Sequence, residues 1–206
     1  YTADAAGMAR RAIGNVAFSH LCRALSADDL AATLRARYQS ADNLTDRRSV
    51  LGIASRSERI SEDLRHTLFA DFYHRWQHQA LVIDLWFNLQ AQSPLTTVAR
   101  IRELEQHEDF DFKNPNRARS LYSVFAMLNH RRFHALDGTG YEFLRETVAK
   151  MDQLNPQIAA RLVTPLTRFG RFDSERQQLM RNELMALSNR KDSSKDLTEI
   201  VNKSLA

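Results

Sequence analysis

The chain has 206 residues, 43% of them hydrophobic and 26% charged, with a mean hydropathy of -0.47. That apolar share excludes a disordered tail, and every apolar run breaks well before the ~20 residues a membrane-crossing helix needs. Six Gly and four Pro are too few for the turns of an all-β fold.

Arginine supplies 24 of the 29 basic residues, and the 25 acids leave a net charge of only +4. The basic residues sit in short pairs (Arg10-Arg11, Arg47-Arg48, Arg131-Arg132) with acids between them. That is the pattern of solvated helix faces, whereas a nucleic-acid binder concentrates charge on one stripe beside stacking aromatics. The single cysteine, Cys22, cannot form an internal disulfide and fits a reducing compartment. The opening run Tyr1-Thr2-Ala3-Asp4-Ala5-Ala6-Gly7 lacks the order of a signal peptide. With no initiator Met, a segment of a longer chain is expected.

In chain order, the first helix is signalled by Ile13, Val16, Ala17, Leu21 and Leu25, one apolar stripe at spacings of three and four. A second is expected over 28–40 (Leu30, Leu34, Tyr38) and a third over 45–55 (Val50, Leu51, Ile53, Ala54). A fourth is expected over 58–75, where Ile60, Leu64, Leu68, Phe72 and Trp76 fall at fours. Residues 80–90 are apolar nearly all round, which predicts a central helix buried on every side. Ser93-Pro94, Asn114-Pro115 and Asn155-Pro156 each place a capping side chain before a proline that has no N–H to leave unpaired. They predict helices over 94–107, 115–130 and 156–169, with a kink or break at Pro165. Thr139-Gly140-Tyr141-Glu142 has capping-box spacing and predicts a helix over 140–154. Helices over 174–188 and 195–205, the latter capped by Ser193 or Ser194, complete the chain.

About eleven short helices are too many for a four-helix bundle. The expected fold is therefore all-α, an irregular armadillo- or HEAT-like α-solenoid of stacked antiparallel helix pairs. No Pro-, Gly- or Ser-rich linker interrupts it, so residues 1–206 are expected to form one domain.

Motifs for self-contained chemistry are missing. His74-Arg75-Trp76-Gln77-His78 spaces two histidines as a zinc peptidase does, but Arg75 stands where the general-base Glu belongs and no third ligand is near. Cys22 lies among apolar residues, as an inert structural thiol does. The Asn-Pro helix starts are more suggestive. Gln157 and Arg161 are four apart and share a face, and Arg119 follows Asn114-Pro115 at a similar distance. Arginine early in a helix opposes the helix dipole, so either an anionic partner or a neighbouring acid is expected beside it.

At these residues the chain resembles a known family. The run Phe112–Leu121, containing Asn114-Pro115-Asn116-Arg117-Ala118-Arg119, is similar to the carboxy-terminal domain of bacterial aminopeptidase N. So are Phe133–Tyr141, Asn155–Leu162, Trp76 with Leu81–Phe87, Gln90–Pro94, and the ending from Asp173 through Arg176-Gln177 to Lys203–Ala206. The resemblance weakens between Asp42 and Arg65.

It implies the final helical domain of a four-domain, monomeric, cytoplasmic zinc metallo-aminopeptidase. The family's H-E-x-x-H zinc helix, distant Glu ligand, transition-state Tyr and G-x-M-E-N loop lie in an upstream thermolysin-like domain, and none occurs here. The segment would then cap the catalytic domain, enclose the substrate cavity and limit access to short peptides, with Arg119, Gln157 and Arg161 lining that cavity. It would hold no catalytic residue, metal or cofactor of its own. Its partners would be the other domains of the same chain and a peptide substrate, with neither nucleic acid nor membrane. A free-standing helical scaffold that binds a protein or nucleic acid is the alternative.

Overall fold

A computed structural model describes residues 3–206; residues 1–2, where the reading of the amino end begins, lie outside the described residues. Every regular element among the described residues is helical, as the periodicity predicts. The chain divides into two compact units, Tyr1–Leu89 and Gln90–Ala206.

In the first unit, α1 (Ala5–Ala24), α2 (Ala27–Ser40), α3 (Leu44–Ala54) and α4 (Glu62–Trp76) each begin at a short polar side chain that takes an orphan backbone N–H. Asp4, Ser26, Asn43 and Ser61 accept from Gly7, Asp29, Asp46 and Leu64 respectively. The fourth helix therefore starts at Glu62, later than the expected 58, because Ser61 supplies the cap. Leu64, Leu68 and Phe72 point inward with Ile60, Leu30, Leu34, Val50 and Leu51, as the pattern predicts. Arg59 ties the end of α1 down by donating to the carbonyls of Cys22 at 2.6 Å and Leu25 at 2.5 Å.

Two expectations fail in this unit. On α1 the predicted core stripe faces outward: Ile13 is 72% and Val16 60% exposed, while Phe18 and Cys22 are buried. The helix is apolar on both sides, and periodicity alone does not say which side the rest of the chain covers. The next helix, α5 (Ala80–Ala91), buries Ile83, Trp86, Phe87 and Leu89 but leaves Leu81 78% exposed, so it is not enclosed on every side. Trp86 is fixed by donating its indole N–H to the Phe69 carbonyl at 2.9 Å.

The second unit is built around α10 (Thr139–Asp152). Before it come α6 (Val98–Leu104), α7 (Pro115–Ala118), a π turn at Arg119–Ser123, α8 (Val124–Leu128) and α9 (His130–Phe133). After it come α11 (Pro156–Leu162), α12 (Thr164–Thr167), a 3-10 turn at Phe169–Arg171, α13 (Ser174–Ser188) and α14 (Lys195–Leu205). α10 packs against α6, α9, α11 and α13, and α14 closes over α11 and α13. Phe125, Phe133, Tyr122 and Phe143 form its aromatic core, with ring centroids 5.8–6.0 Å apart. Buried Asp152 accepts from the Ser194 N–H at 2.8 Å and its hydroxyl at 2.5 Å, and Ser194 in turn caps α14.

The eleven expected helices become fourteen α-segments among the described residues. The expected helix 115–130 is interrupted twice, by the π turn and at Asn129. Asn129 is 1% exposed and sits at φ -94, ψ 65. Its Nδ2 donates to the carbonyls of Ala91 (3.2 Å), Ser93 (2.6 Å) and Thr96 (3.0 Å), which holds it out of the helix. Pro165 breaks the expected helix 156–169, and α12 starts around it. Ser93-Pro94 opens a turn instead of a helix: Ser93 Oγ accepts from Leu95 N, and the cap of α6 is Thr97. The capping box at Thr139 is absent too. Gly138, at φ 73, occupies the cap position, and Asp137 takes both the N–H and the hydroxyl of Thr139.

Candidate functional site

Both remaining Asn-Pro starts fold as their residues dictate. Asn114 Oδ1 accepts from Asn116 N at 3.0 Å and Arg117 N at 3.3 Å, and Pro115 opens α7. Asn155 Oδ1 accepts from Ile158 N at 3.1 Å, and Pro156 opens α11. The π turn that begins at Arg119 packs directly against α11, so the two arginine-bearing segments are neighbours.

Arg119, Gln157 and Arg161 are all exposed, while Ala118, Ser120, Ala159 and Ala160 beside them are buried. Arg119 donates to Asn116 Oδ1 at 3.1 Å. Among the described residues the Gln157 and Arg161 side chains have no hydrogen-bond or ion-pair partner, so no described acid neutralises Arg161. No hydrogen bond joins these three side chains to one another.

The dipole argument for Arg161 is overturned. α11 ends at Leu162, so Arg161 stands in its last turn, where the exposed carbonyls favour a cation. Arg119 sits at the end of α7, where the helix passes into the π turn. Its guanidinium is placed by an element frequently found at functional sites.

The charge around both starts has one sign. From Lys113 to Leu136 there is no acid, against Lys113, Arg117, Arg119, Arg131 and Arg132. From Asn155 to Phe172 there is again no acid, against Arg161, Arg168 and Arg171. These two acid-free windows were visible in the sequence as a local charge count, which the whole-chain balance of +4 conceals. Arg117 differs from its neighbours: it is buried, and its guanidinium donates to the Asp109 carbonyl, so it anchors the loop before α7.

Elsewhere, His74 lies in the last turn of α4 and His78 beyond its end, both exposed. Arg75 between them pairs with Asp71 at 2.6 Å. No group of three His, Cys, Asp or Glu among the described residues is placed to share a metal ion. Burial pushes the Cys22 thiol up, with Arg59 pulling weakly the other way, which makes it a poor nucleophile. His134 is held down at about 4 by burial, reinforced by His130 and Arg176, and its Nδ1 lies 2.9 Å from the Tyr141 hydroxyl. No described helix is long and apolar enough to cross a membrane.

The family model described as "Domain of unknown function (DUF3458_C) ARM repeats" matches residues 1–206. The chain is 40% identical over 199 residues to aminopeptidase N of Haemophilus influenzae, covering 96% of this chain and 22% of that protein. It is 40% identical over 171 residues to aminopeptidase N of Escherichia coli, covering 82% and 19%. To the Caulobacter vibrioides aminopeptidase N it is 37% identical over 209 residues, covering 100% and 23%. Among solved structures it resembles Legionella pneumophila aminopeptidase A in complex with aspartic acid, with TM-score 0.78 and 27% identity over 86% of this chain and 21% of that one. The chain thus spans about a fifth of the length of these relatives. Helices without strands among the described residues, the ARM-repeat match along the entire length and the shared identity lead to one assignment: the chain belongs to the carboxy-terminal ARM-repeat domain family of bacterial aminopeptidase N.

Proposed function

We propose that this chain is the helical cap of a zinc aminopeptidase that removes amino-terminal residues from peptides. The observation that carries this reading is identity of 37–40% to proteins named aminopeptidase N, sustained over 96–100% of the chain in two of them. In this reading the segment covers the catalytic domain, encloses the substrate cavity and excludes folded proteins by size, and the parent works in the cytoplasm. Arg119, Gln157 and Arg161 line the cavity. Exposure of all three, the acid-free windows around them, and Arg161 without a local acid support an anion as their partner. A peptide's free carboxylate suits a guanidinium, which binds it in a bidentate manner.

The described residues do not fit a zinc ion. The His74 and His78 pair is split by a helix end, Arg75 is engaged by Asp71, and no third ligand among the described residues joins them. Metal chemistry is therefore assigned to the remainder of the parent, and no step of it runs through a residue described here. The test compares the full parent with the isolated segment, each given zinc and an aminoacyl chromogenic substrate. Turnover by the parent alone is expected. Zinc-dependent turnover by the segment, or an inactive parent, would overturn the reading.

A further inference from the structure

The π turn at Arg119–Ser123 is an insertion into a helix, and its consequence is a rotation. The Val124 N–H reaches back to the Arg119 carbonyl, five positions earlier. One residue beyond what α geometry requires turns the helix before the bulge by about 100° relative to the helix after it. The later side is fixed, because Val124 and Phe125 of α8 are buried. The bulge therefore decides which way Arg119 faces. Such turns are rare, so a side chain has to hold this one open. Tyr122, inside the turn, is 1% exposed. Its ring is enclosed by Phe110, Phe112 and Phe143, with centroids 5.6, 5.7 and 6.0 Å away. Its hydroxyl is hydrogen-bonded to the carboxyl group of Glu105, the residue that ends α6. Burial pushes the Glu105 carboxyl up, against the Tyr122 hydroxyl and the nearby Arg102 and Lys150, which favour its charged form. Those two cations also lie over the enclosing rings, Arg102 5.3 Å from Phe143 and Lys150 4.5 Å from Phe112. An acid kept half-buried at a cost, against a hydroxyl inside a bulge, is a fixing point and not a solvated surface group.

Given the cavity role proposed above for Arg119, we infer that Tyr122 and Glu105 are positioning residues: their contact holds the π turn that aims the Arg119 guanidinium at the carboxylate of a bound peptide. Tyr122 is buried and acts on the peptide only through the arginine. Asn116 steadies the guanidinium itself, accepting from it at 3.1 Å, whereas Tyr122 and Glu105 set the backbone that carries it. Loss of their contact lets the turn relax to α geometry. With α8 held in the core, Arg119 then swings by about 100° from its present direction.

The test measures kcat/KM of the full-length parent on a tripeptide and on its carboxy-amidated twin, for Tyr122→Phe, Arg119→Ala and the double variant. Tyr122→Phe keeps the packed ring and removes only the hydroxyl. It should lower kcat/KM on the free acid about three- to tenfold, the worth of one hydrogen bond, and leave the amidated twin at the wild-type rate. In the Arg119→Ala background it should lower neither. Glu105→Ala, at a half-buried helix end, is a second variant with the same expected pattern, while Glu105→Gln keeps an acceptor for the hydroxyl and should behave as wild type. Hydrogen exchange at the Val124 amide should quicken about tenfold in Tyr122→Phe. Equal losses on both substrates, an undiminished effect in the Arg119→Ala background, or unchanged exchange would overturn the inference. An Arg119→Ala parent that handles the free acid as wild type does would overturn the cavity role of Arg119 itself, and the positioning role with it.

Discussion

Replacing Arg161 separates a substrate role from a structural one. Its guanidinium is exposed and has no partner among the described residues, and its helix is anchored by Ala159, Ala160 and Leu162. Arg161→Ala should therefore change stability by no more than about 0.5 kcal/mol, the usual range for surface positions away from caps and cores. If the cavity of the parent presents this guanidinium to a peptide carboxylate, the lost charge-assisted bond is worth about 1.5–3 kcal/mol, or roughly ten- to a hundredfold in affinity. The assay is kcat/KM of the full-length parent on a tri- or tetrapeptide and on its carboxy-amidated twin, with the thermal midpoint measured in parallel. The free-acid peptide should lose about one to two orders of magnitude, while the amidated twin and the midpoint stay near wild type. Equal losses on both substrates, or none, would remove Arg161 from substrate binding. A marked fall in the midpoint would show that the side chain serves the fold.

Asn129→Ala should destabilise the protein by about 3 kcal/mol, because the carbonyls of Ala91, Ser93 and Thr96 lose a buried donor together; for a chain of this size a fall of about 6–12 °C in Tm is expected by calorimetry. Gly140→Ala should cost about 2 kcal/mol in urea unfolding, since a Cβ there would meet the backbone of Phe133, with Cα at 2.8 Å and C at 2.9 Å; a neutral result would show that α9 and α10 are free to separate. His134 has its pKa lowered from 6.5 to about 4, so between those values the unfolded chain binds the proton and the folded one does not. Its contribution is complete above pH 6.5 and is lost as pH falls toward 4; the difference in urea midpoint between wild type and His134→Gln should narrow across that window, and a constant difference would refute the assignment.

Helix identity was legible wherever a polar cap and an apolar period agreed. Ser61 before Leu64, Leu68 and Phe72, or Asn155-Pro156 before Ala159 and Ala160, specify their helices through local hydrogen bonds and spacing alone. Pro165 announced its break for the same reason: a missing N–H is a local fact. The caps at the two Asn-Pro starts were also readable, but the electrostatic setting of the arginines beside them was not. Whether Arg161 opposes or complements its helix dipole depends on where α11 stops, and α11 stops at Leu162.

Asn129 reads in sequence as one more residue of a helix. Only carbonyls more than thirty positions away, brought to its amide by folding, turn it into a break. The same holds for α1, whose two apolar faces are equivalent to any periodicity. The contacts of Phe18 and Cys22 decided which one this chain buries. Spacing and caps act within a few residues and so belong to the sequence. The face a helix buries, the point where it breaks and the partner a charge finds depend on distant segments that only the folded chain brings near.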